Sequence, residues 1–297
     1  MSRRRKGGGR PATGPKREKR TRDVFVPRPF EGLADEPEWV ALRELVPAAT
    51  APLALAPSLM EQYGSPQVVL ATLLPLAWPA LRRPDGTVLV GVQRQAASGD
   101  INRDLAASIL TALETTATDG PTPVDVPADP GVGPRLAEVL ADGELEITVH
   151  EGFEFWTADG EADPAVTASM ERANESAYPT VRMAAARAAY WCQVPGRAHL
   201  RWVLPDPEDS ALAALARIGA GGGLKLGEDT RFAGMFRAHG LLVPVWDLPR
   251  ETPAEHWEEP LAGFAKRYAE ALATDGPLDA AARRARQGLI GRQLTLR

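Results

Sequence analysis

Residues 186–218 read ARAAYWCQVPGRAHLRWVLPDPEDSALAALARI, and their pattern gives the clearest indication of the fold. Two runs rich in aromatic and apolar residues flank Pro195-Gly196-Arg197, a pattern typical of a β-hairpin. Residues 206–218 then begin with acidic residues and Pro and continue as an Ala and Leu run at helical spacing. The stretch therefore predicts a hairpin followed by a helix that packs on one face of the sheet.

The same order of elements occurs earlier in the chain. Residues 70–93, LATLLPLAWPALRRPDGTVLVGVQ, predict a hairpin, and DINRDLAASILTAL at 100–113 predicts the helix that follows it. We also interpret 39–55 and 231–248 as two helix–strand pairs, the second with its helix ending at His239-Gly240. These parallels predict an α+β fold of two similar units, each an antiparallel sheet with packed helices, arising from internal duplication.

Changes in composition give the predicted boundaries. Residues 1–22 combine charge, Gly, Pro and Thr with almost no apolar side chains, which predicts a disordered tail. A stretch rich in Pro and Asp is the natural linker between the two units. The predicted segments are a basic tail (1–22), an N-terminal unit (23–118), a linker (119–134), a C-terminal unit (135–276) and a basic C-terminal helix and tail (277–297).

Local signals place further elements. Acidic or capping residues predict helices that start near Asp35, Asp100, Asp163 and Asp206, and Thr252-Pro-Ala-Glu255 has the form of a capping box. Partial alternation predicts one strand over 144–156, and a further strand over 87–93 follows a Pro-Asp-Gly turn.

Bulk composition narrows the class of protein. The chain has 297 residues, 44% of them hydrophobic and 25% charged, as expected for a globular protein with a substantial core. The single cysteine, Cys192, excludes an intramolecular disulfide and a multi-thiolate zinc site. No apolar stretch approaches the roughly 20 residues that a membrane helix needs, and no apolar segment follows the basic start as in a secretory signal. We expect a cytoplasmic protein without a membrane partner.

Charge is distributed unevenly along the chain. The first 22 residues hold ten basic side chains and one acidic, whereas 23–276 hold 19 basic and 37 acidic. Basic side chains without sequence-reading elements bind phosphates through salt-dependent contacts. The tail therefore predicts contact with a polyanion, such as RNA, ribosomal RNA or DNA, through Arg3, Arg4, Arg5, Lys6, Arg10, Lys16, Arg17, Lys19, Arg20 and Arg22. A solubilising tail that contacts nothing specific is the alternative.

A glycine-rich run, Gly219-Ala-Gly-Gly-Gly223, offers a second candidate site. It matches neither the phosphate loop of nucleotide hydrolases nor the dinucleotide fingerprint, because the Lys and the third Gly are misplaced. Consecutive backbone amides can nevertheless cradle an anion. The alternative function is thus an enzyme or small-ligand binder that uses Gly221, Gly222, Gly223, Lys225 and Arg231. The four histidines lack metal-ligand spacing, and no residues predict a catalytic group, cofactor or metal.

Two stretches carry a family resemblance: VFVPRPFEGLADEPEWVALRELVPAATAPL at 24–53 and FRAHGLLVPVWDLP at 236–249. Together with the basic start, they resemble a family of uncharacterised actinobacterial proteins known as a domain of unknown function. The resemblance extends over essentially the whole chain. It implies a cytoplasmic bacterial protein of one architecture, but neither an activity nor a catalytic residue.

These observations favour a binding protein over an enzyme. The basic tail would contact the polyanion and the acidic body a protein partner. A third hypothesis is autoinhibition, in which the tail occupies an acidic groove on its own body. The sequence leaves the oligomeric state open.

Overall fold

A computed structural model describes residues 25–95, 97–116, 118–129, 131–157 and 163–291. Within these ranges the chain is an α+β protein with two β-sheets rich in antiparallel pairs, which confirms the predicted fold class. The predicted tail, 1–22, lies outside the described residues.

The N-terminal sheet has six strands in the order β5-β3-β4-β2-β1-β6. Every neighbouring pair is antiparallel except β2 and β4, which run parallel because β3 and a short 3-10 turn at Pro75–Ala77 separate them along the chain. The strands are β1 (Ala49–Leu53), β2 (Val68–Ala71), β3 (Ala80–Arg82), β4 (Val88–Gly91), β5 (Thr122–Val124) and β6 (Thr148–Val149). The helices of this half are α1 (Glu36–Glu44), α2 (Pro57–Tyr63), α3 (Ile101–Glu114) and α4 (Leu136–Val139).

Two segments of this sheet differ from what the sequence predicted. Residues 119–134, the predicted linker, contribute β5, in which Val124 pairs with Ala80 of β3. The prediction of one strand over 144–156 is wrong, since only β6 pairs, through Thr148 with Thr50 and Val149 with Ala49. Residues 154–156 instead form a 3-10 turn that buries an aromatic side chain in a small apolar cluster beside the sheet.

The C-terminal sheet has five strands, all antiparallel, in the order β10-β11-β9-β8-β7. They are β7 (Thr180–Arg182), β8 (Ala189–Val194), β9 (Arg197–Trp202), β10 (Arg231–Ala238) and β11 (Leu241–Leu248). The predicted hairpin is confirmed, because β8 and β9 pair across Pro195-Gly196. Helix α5 (Pro164–Ser176) precedes this sheet in the chain and packs beside the 3-10 turn at Pro75–Ala77 of the N-terminal half. The other helices are α6 (Glu208–Ala220), α7 (Glu258–Leu272) and α8 (Ala280–Ile290). Of these, α6 packs against both α7 and α8.

The prediction of a helix that ends at His239-Gly240 is wrong. Residues 231–238 form β10, and His239 and Gly240 are the two central residues of a tight hairpin turn to β11. Both have positive φ, 46° and 85°, as a type I′ hairpin turn requires. A bulge between Phe232 and Gly234 interrupts the alternation of the strand, which is why the sequence pattern favoured a helix.

Helices start near the predicted residues, but the capping residues divide into two groups. Asp100 and Asp163 accept hydrogen bonds from backbone N–H groups in the first turns of α3 and α5. Asp35 and Asp206 have other partners, an arginine and a backbone amide for the first and the Tyr268 hydroxyl for the second. The predicted capping box is replaced by a 3-10 turn at residues 254–257, after which α7 begins.

The two sheets share a hydrophobic core. Side chains of the C-terminal sheet, including Tyr190, Phe236 and Val243, pack in one cluster with Trp39 and Leu42 of α1. The opposite face of that sheet is covered by α6 and α7, which form a second core with it. The C-terminal sheet therefore has one face under helices and another that is only partly covered by the N-terminal half. Along the described part of the chain, no helix has the length and apolar character to cross a membrane.

Candidate anion-binding face

Strand β9 separates polar from apolar side chains by strict alternation. Ala198, Leu200 and Trp202 are buried in the core beneath the helices. Arg197, His199 and Arg201 occupy the intervening positions, and successive residues of a strand point to opposite faces. One arginine–histidine–arginine series therefore lies on the face of the sheet that faces away from α6 and α7.

A row of side chains crosses the whole sheet through His199. Arg231 of β10 pairs with Asp247 of β11, Asp247 with His199, His199 with Cys192 of β8, and Cys192 with Thr180 of β7. Directly opposed residues on neighbouring strands project to the same side. The row joins the β9 series to a carboxylate and a further arginine.

Asp247 is the centre of this arrangement. Its Oδ2 accepts hydrogen bonds from Arg231 Nε at 3.0 Å and Arg197 Nη1 at 3.2 Å, and its Oδ1 lies 3.1 Å from His199 Nδ1. The carboxylate is 14% exposed, whereas the Arg197 and Arg231 side chains are 53% and 72% exposed. Because one carboxylate is shared by two arginines, the arrangement has a net positive charge that is accessible to solvent.

Arg201 adds a third cation beside an aromatic ring. Its guanidinium lies over the ring of Tyr178, 5.7 Å from the centroid, and Nη1 donates a hydrogen bond to the tyrosine hydroxyl at 3.2 Å. An arginine held against a ring can present both its charge and a flat stacking surface to a ligand. We refer to Arg197, His199, Arg201, Arg231 and Asp247, with Tyr178, as the basic face.

The pKa shifts of His199 and Cys192 show which groups of this row are charged. Burial lowers the pKa of His199, the nearby Arg201 and Arg197 lower it further, and Asp247 opposes the shift. The ring is therefore neutral at pH 7 and the positive charge comes from the arginines. Burial raises the pKa of the Cys192 thiol, so the thiolate that a nucleophile needs is disfavoured. Within the described ranges, no cluster of three or more His, Cys, Asp and Glu could hold a metal ion.

In the next row of the sheet, Arg182 of β7 is neutralised by an element of the N-terminal half. Tyr190 lies opposite both Arg201 and Arg182, and it donates a hydrogen bond from its hydroxyl to Glu38 of α1 at 2.7 Å. Arg182 donates to the same carboxylate at 2.7 and 3.0 Å, and the Ala188 amide donates at 3.1 Å. Glu38 is fully buried, and burial together with its charge raises the pKa of Tyr190. On this side of the sheet the excess of positive charge thus comes from Arg197, Arg201 and Arg231, and not from Arg182.

The glycine-rich candidate site is placed elsewhere. Gly221–Gly223 form the turn at the end of α6, where the Gly223 amide donates to the Ile218 carbonyl at 3.0 Å. This is the negative end of the helix dipole, which disfavours anions. Lys225 Nζ donates to the Glu228 carbonyl at 3.4 Å, while Arg231 projects from the other face of the sheet to Asp247. The structure does not bring Arg231 together with the glycines.

The sequence predicted a ligand contact for Arg231 together with the glycine run, and it did not point to the other residues of the basic face. The ten basic residues predicted in the tail lie outside the described residues. The signal for the face was present in the hairpin itself, since Arg197, His199 and Arg201 alternate with three apolar residues. Asp247 could not have been found this way, because its proximity to β9 depends on which strand pairs with which.

Comparison with known proteins bears on the whole chain. No curated protein and no solved structure matches it. The model of one family, described as a family of unknown function (DUF5926), matches residues 29–297. That span includes both sheets and every residue of the basic face. The chain therefore belongs to this family of unknown function.

Proposed function

We propose that this protein is a non-enzymatic binding protein that contacts the phosphates of a single-stranded nucleic acid, RNA or DNA, through the basic face. The observation that carries the proposal is the excess of solvent-accessible arginine around Asp247. The basic N-terminal segment, 1–22, would contribute further phosphate contacts, and the acidic body would contact a protein partner.

The spacing of the face suits a flexible strand. Arg231 lies on β10, and Arg197 and Arg201 lie on β9, two strands away. Because neighbouring β-strands lie about 4.8 Å apart, the three arginines are spread over the face and can contact successive phosphates. One guanidinium can donate two parallel hydrogen bonds to the oxygens of one phosphate, and Tyr178 supplies a ring on which a base can stack. Such stacking requires an exposed base, which favours an unpaired strand over a duplex.

The charge of the remaining chain directs the ligand to this face. Residues 23–276 hold 37 acidic and 19 basic side chains, so most of the body repels a polyanion. A ligand attracted to the N-terminal segment would therefore be retained where arginines outnumber carboxylates.

Salt-dependent binding of a labelled single-stranded RNA to the full-length protein tests the proposal. Two variants are compared by fluorescence anisotropy: Arg197→Gln combined with Arg201→Gln, and a variant with glutamine at Arg3, Arg4, Arg5 and Lys6. Each lost phosphate contact should reduce the slope of log affinity against log salt by about 0.7. The face variant should thus lose about 1.4 of slope if both arginines contact phosphate.

Lys266→Gln is the matched control. Lys266 is exposed on α7, on the side of the sheet covered by helices, so its loss should leave both affinity and slope unchanged. If the face variant behaves like Lys266→Gln, the basic face does not bind the strand and the proposal is wrong. A loss confined to the N-terminal variant would assign binding to residues 1–22 alone.

A further inference from the structure

A second candidate site is a cleft in the N-terminal half. It has a volume of about 510 Å³ and lies between the loop before α1, the end of β1, helix α4 and the loop that follows it. Its floor includes the buried side chains of Trp39, Leu53 and Leu145. Leu33 and Leu140, both partly exposed, line its walls.

The rim of this cleft is acidic. Asp142, Glu144 and Glu146 line it, and its lining contains no Lys or Arg. Glu144 lies 3.3 Å from Arg187, which neutralises part of its charge. Asp142 and Glu146 are exposed side chains. An apolar floor with a carboxylate rim suits long basic side chains, whose methylene stems cover apolar surface while their charged heads meet the acids.

The N-terminal chain enters the fold next to this cleft. Asn102 donates a hydrogen bond from its side chain to the Pro29 carbonyl at 2.8 Å and accepts one from the Leu136 amide at 2.7 Å. Leu136 is the first residue of α4, the helix that lines the cleft. The Val26 amide is held by the Gly99 carbonyl at 2.8 Å. Pro29, close to the first described residue, therefore lies one side chain away from the start of α4.

We infer that the cleft binds the chain's own basic segment, 1–22. Charge complementarity supports this occupant, since the segment has ten basic residues and one acidic. Reach supports it as well, because each residue of extended chain spans about 3.3–3.6 Å. Arginine and lysine stems pack on Leu33 and Leu140, and their heads pair with Asp142 and Glu146. Docking would withdraw the segment from nucleic acid. That consequence rests on the proposed function, but the docking itself is independent of it.

Paramagnetic relaxation in the full-length protein tests the docking without any nucleic acid. A nitroxide is attached to Thr13→Cys, and methyl resonances of the labelled protein are recorded with the nitroxide oxidised and reduced. Cys192 is buried, so the introduced cysteine takes the label. The methyl signals of Leu33, Leu140 and Leu145 should lose intensity when the nitroxide is oxidised. Asp142→Asn combined with Glu146→Gln should restore that intensity.

Glu259→Gln combined with Glu270→Gln is the matched control, since both residues are exposed on α7, away from the cleft. This control should retain the intensity loss of the wild type. Docking is refuted if the cleft methyls keep their intensity in the wild type or if the loss persists in the cleft variant. A loss that arises only between a nitroxide on one molecule and methyls on another would assign the cleft to a second copy and overturn docking within one chain. Because no nucleic acid is present, failure here leaves the proposed function standing.

Discussion

His199 shows how a single residue connects the charge of the basic face to its proposed ligand. On its own strand it lies between Arg197 and Arg201, and across the sheet it faces Asp247 on one side and Cys192 on the other. The two arginines disfavour a proton on the ring and the carboxylate favours it, while burial decides the net direction. A phosphate bound at the face would favour the protonated ring.

We predict that affinity for single-stranded RNA rises as pH falls from 7 towards 5. Burial lowers the pKa of His199 below its ordinary value of 6.5, so the ring of the free protein is neutral at pH 7, and a bound phosphate would stabilise the protonated ring. Anisotropy titrations across this range measure the effect. His199→Gln should remove this part of the pH dependence, and an unchanged profile in the variant would contradict the assignment.

The lowered pKa of His199 also predicts that the fold becomes less stable as pH falls, whereas the affinity for RNA rises. Because the folded-state pKa of His199 is lowered, the unfolded chain binds the proton first as pH falls below about 6.5. This contribution to the free energy of unfolding is fully present above pH 6.5 and decreases as pH falls towards the folded-state pKa. Urea unfolding at several pH values should show a shallower decrease in His199→Gln than in the wild type.

Substitution of the buried Glu38 should lower the free energy of unfolding strongly. It is fully buried and accepts hydrogen bonds from Arg182, Ala188 and Tyr190, so Glu38→Gln leaves a guanidinium without its counter-charge. We expect the free energy of unfolding to fall by about 3 kcal/mol, measured by urea denaturation. Glu208→Gln, which breaks an exposed pair with Arg237, should cost at most about 1 kcal/mol. Equal losses in the two variants would show that burial of the Glu38 network has no special role.

At the scale of elements, two hairpin turns of the C-terminal sheet can be compared directly. Gly196 and Gly240 have nearly the same φ, 88° and 85°. A Cβ at Gly196 would meet nothing within 4 Å, whereas one at Gly240 would lie 2.9 Å from Cβ and Cγ of Arg28. Arg28 Nε donates a hydrogen bond to Glu36 Oε1 at 2.6 Å, which holds the arginine in place. The β10–β11 turn is therefore packed against the segment that precedes α1.

Alanine substitution should separate these two effects. Gly196→Ala should reduce the free energy of unfolding by about 1–2 kcal/mol, the cost of a left-handed residue. Gly240→Ala should lose this amount and about 1–3 kcal/mol more, because Arg28 must shift. Urea denaturation of both variants measures the difference. If the two losses are equal, the contact with Arg28 does not constrain the turn.

The sequence predicted elements well where the local pattern was regular. The β8–β9 hairpin, α3, α5 and the strand 241–248 were all predicted from alternation, helical spacing or caps. It failed at 231–238, where a bulge breaks the two-residue period, and at 144–156, where apolar residues fold into a 3-10 turn instead of pairing. In both segments tertiary packing outweighed the local pattern.

At the scale of the whole molecule, the shared core links the two sheets. Tyr190, Phe236 and Val243 of the C-terminal sheet pack in the same cluster as Trp39 and Leu42. The division into units at 23–118 and 135–276 stays a prediction from composition, although β6 and α4, which follow residue 134, contact the N-terminal half.

We predict that thermal unfolding is a single cooperative transition. A core that draws on both sheets cannot be lost from one without exposing apolar surface of the other. Differential scanning calorimetry should give equal calorimetric and van't Hoff enthalpies. Val243→Ala, which removes contacts from the shared core, should shift that transition without splitting it. Two separate transitions in the wild type would show that the sheets are independent folding units.

The amino-acid sequence was enough to predict the fold class, the β8–β9 hairpin, the family to which the chain belongs and the contrast between the basic segment 1–22 and the acidic body. These depend on composition and on short-range periodicity, which the chain carries locally. The tertiary structure alone decided that Asp247 lies against His199, that Glu38 neutralises Arg182, and that Arg231 lies away from the glycine turn. The cause is strand pairing: β11 pairs with β9, which brings residues more than forty positions apart onto one face, and no local pattern specifies which strand becomes the neighbour of the β10–β11 hairpin.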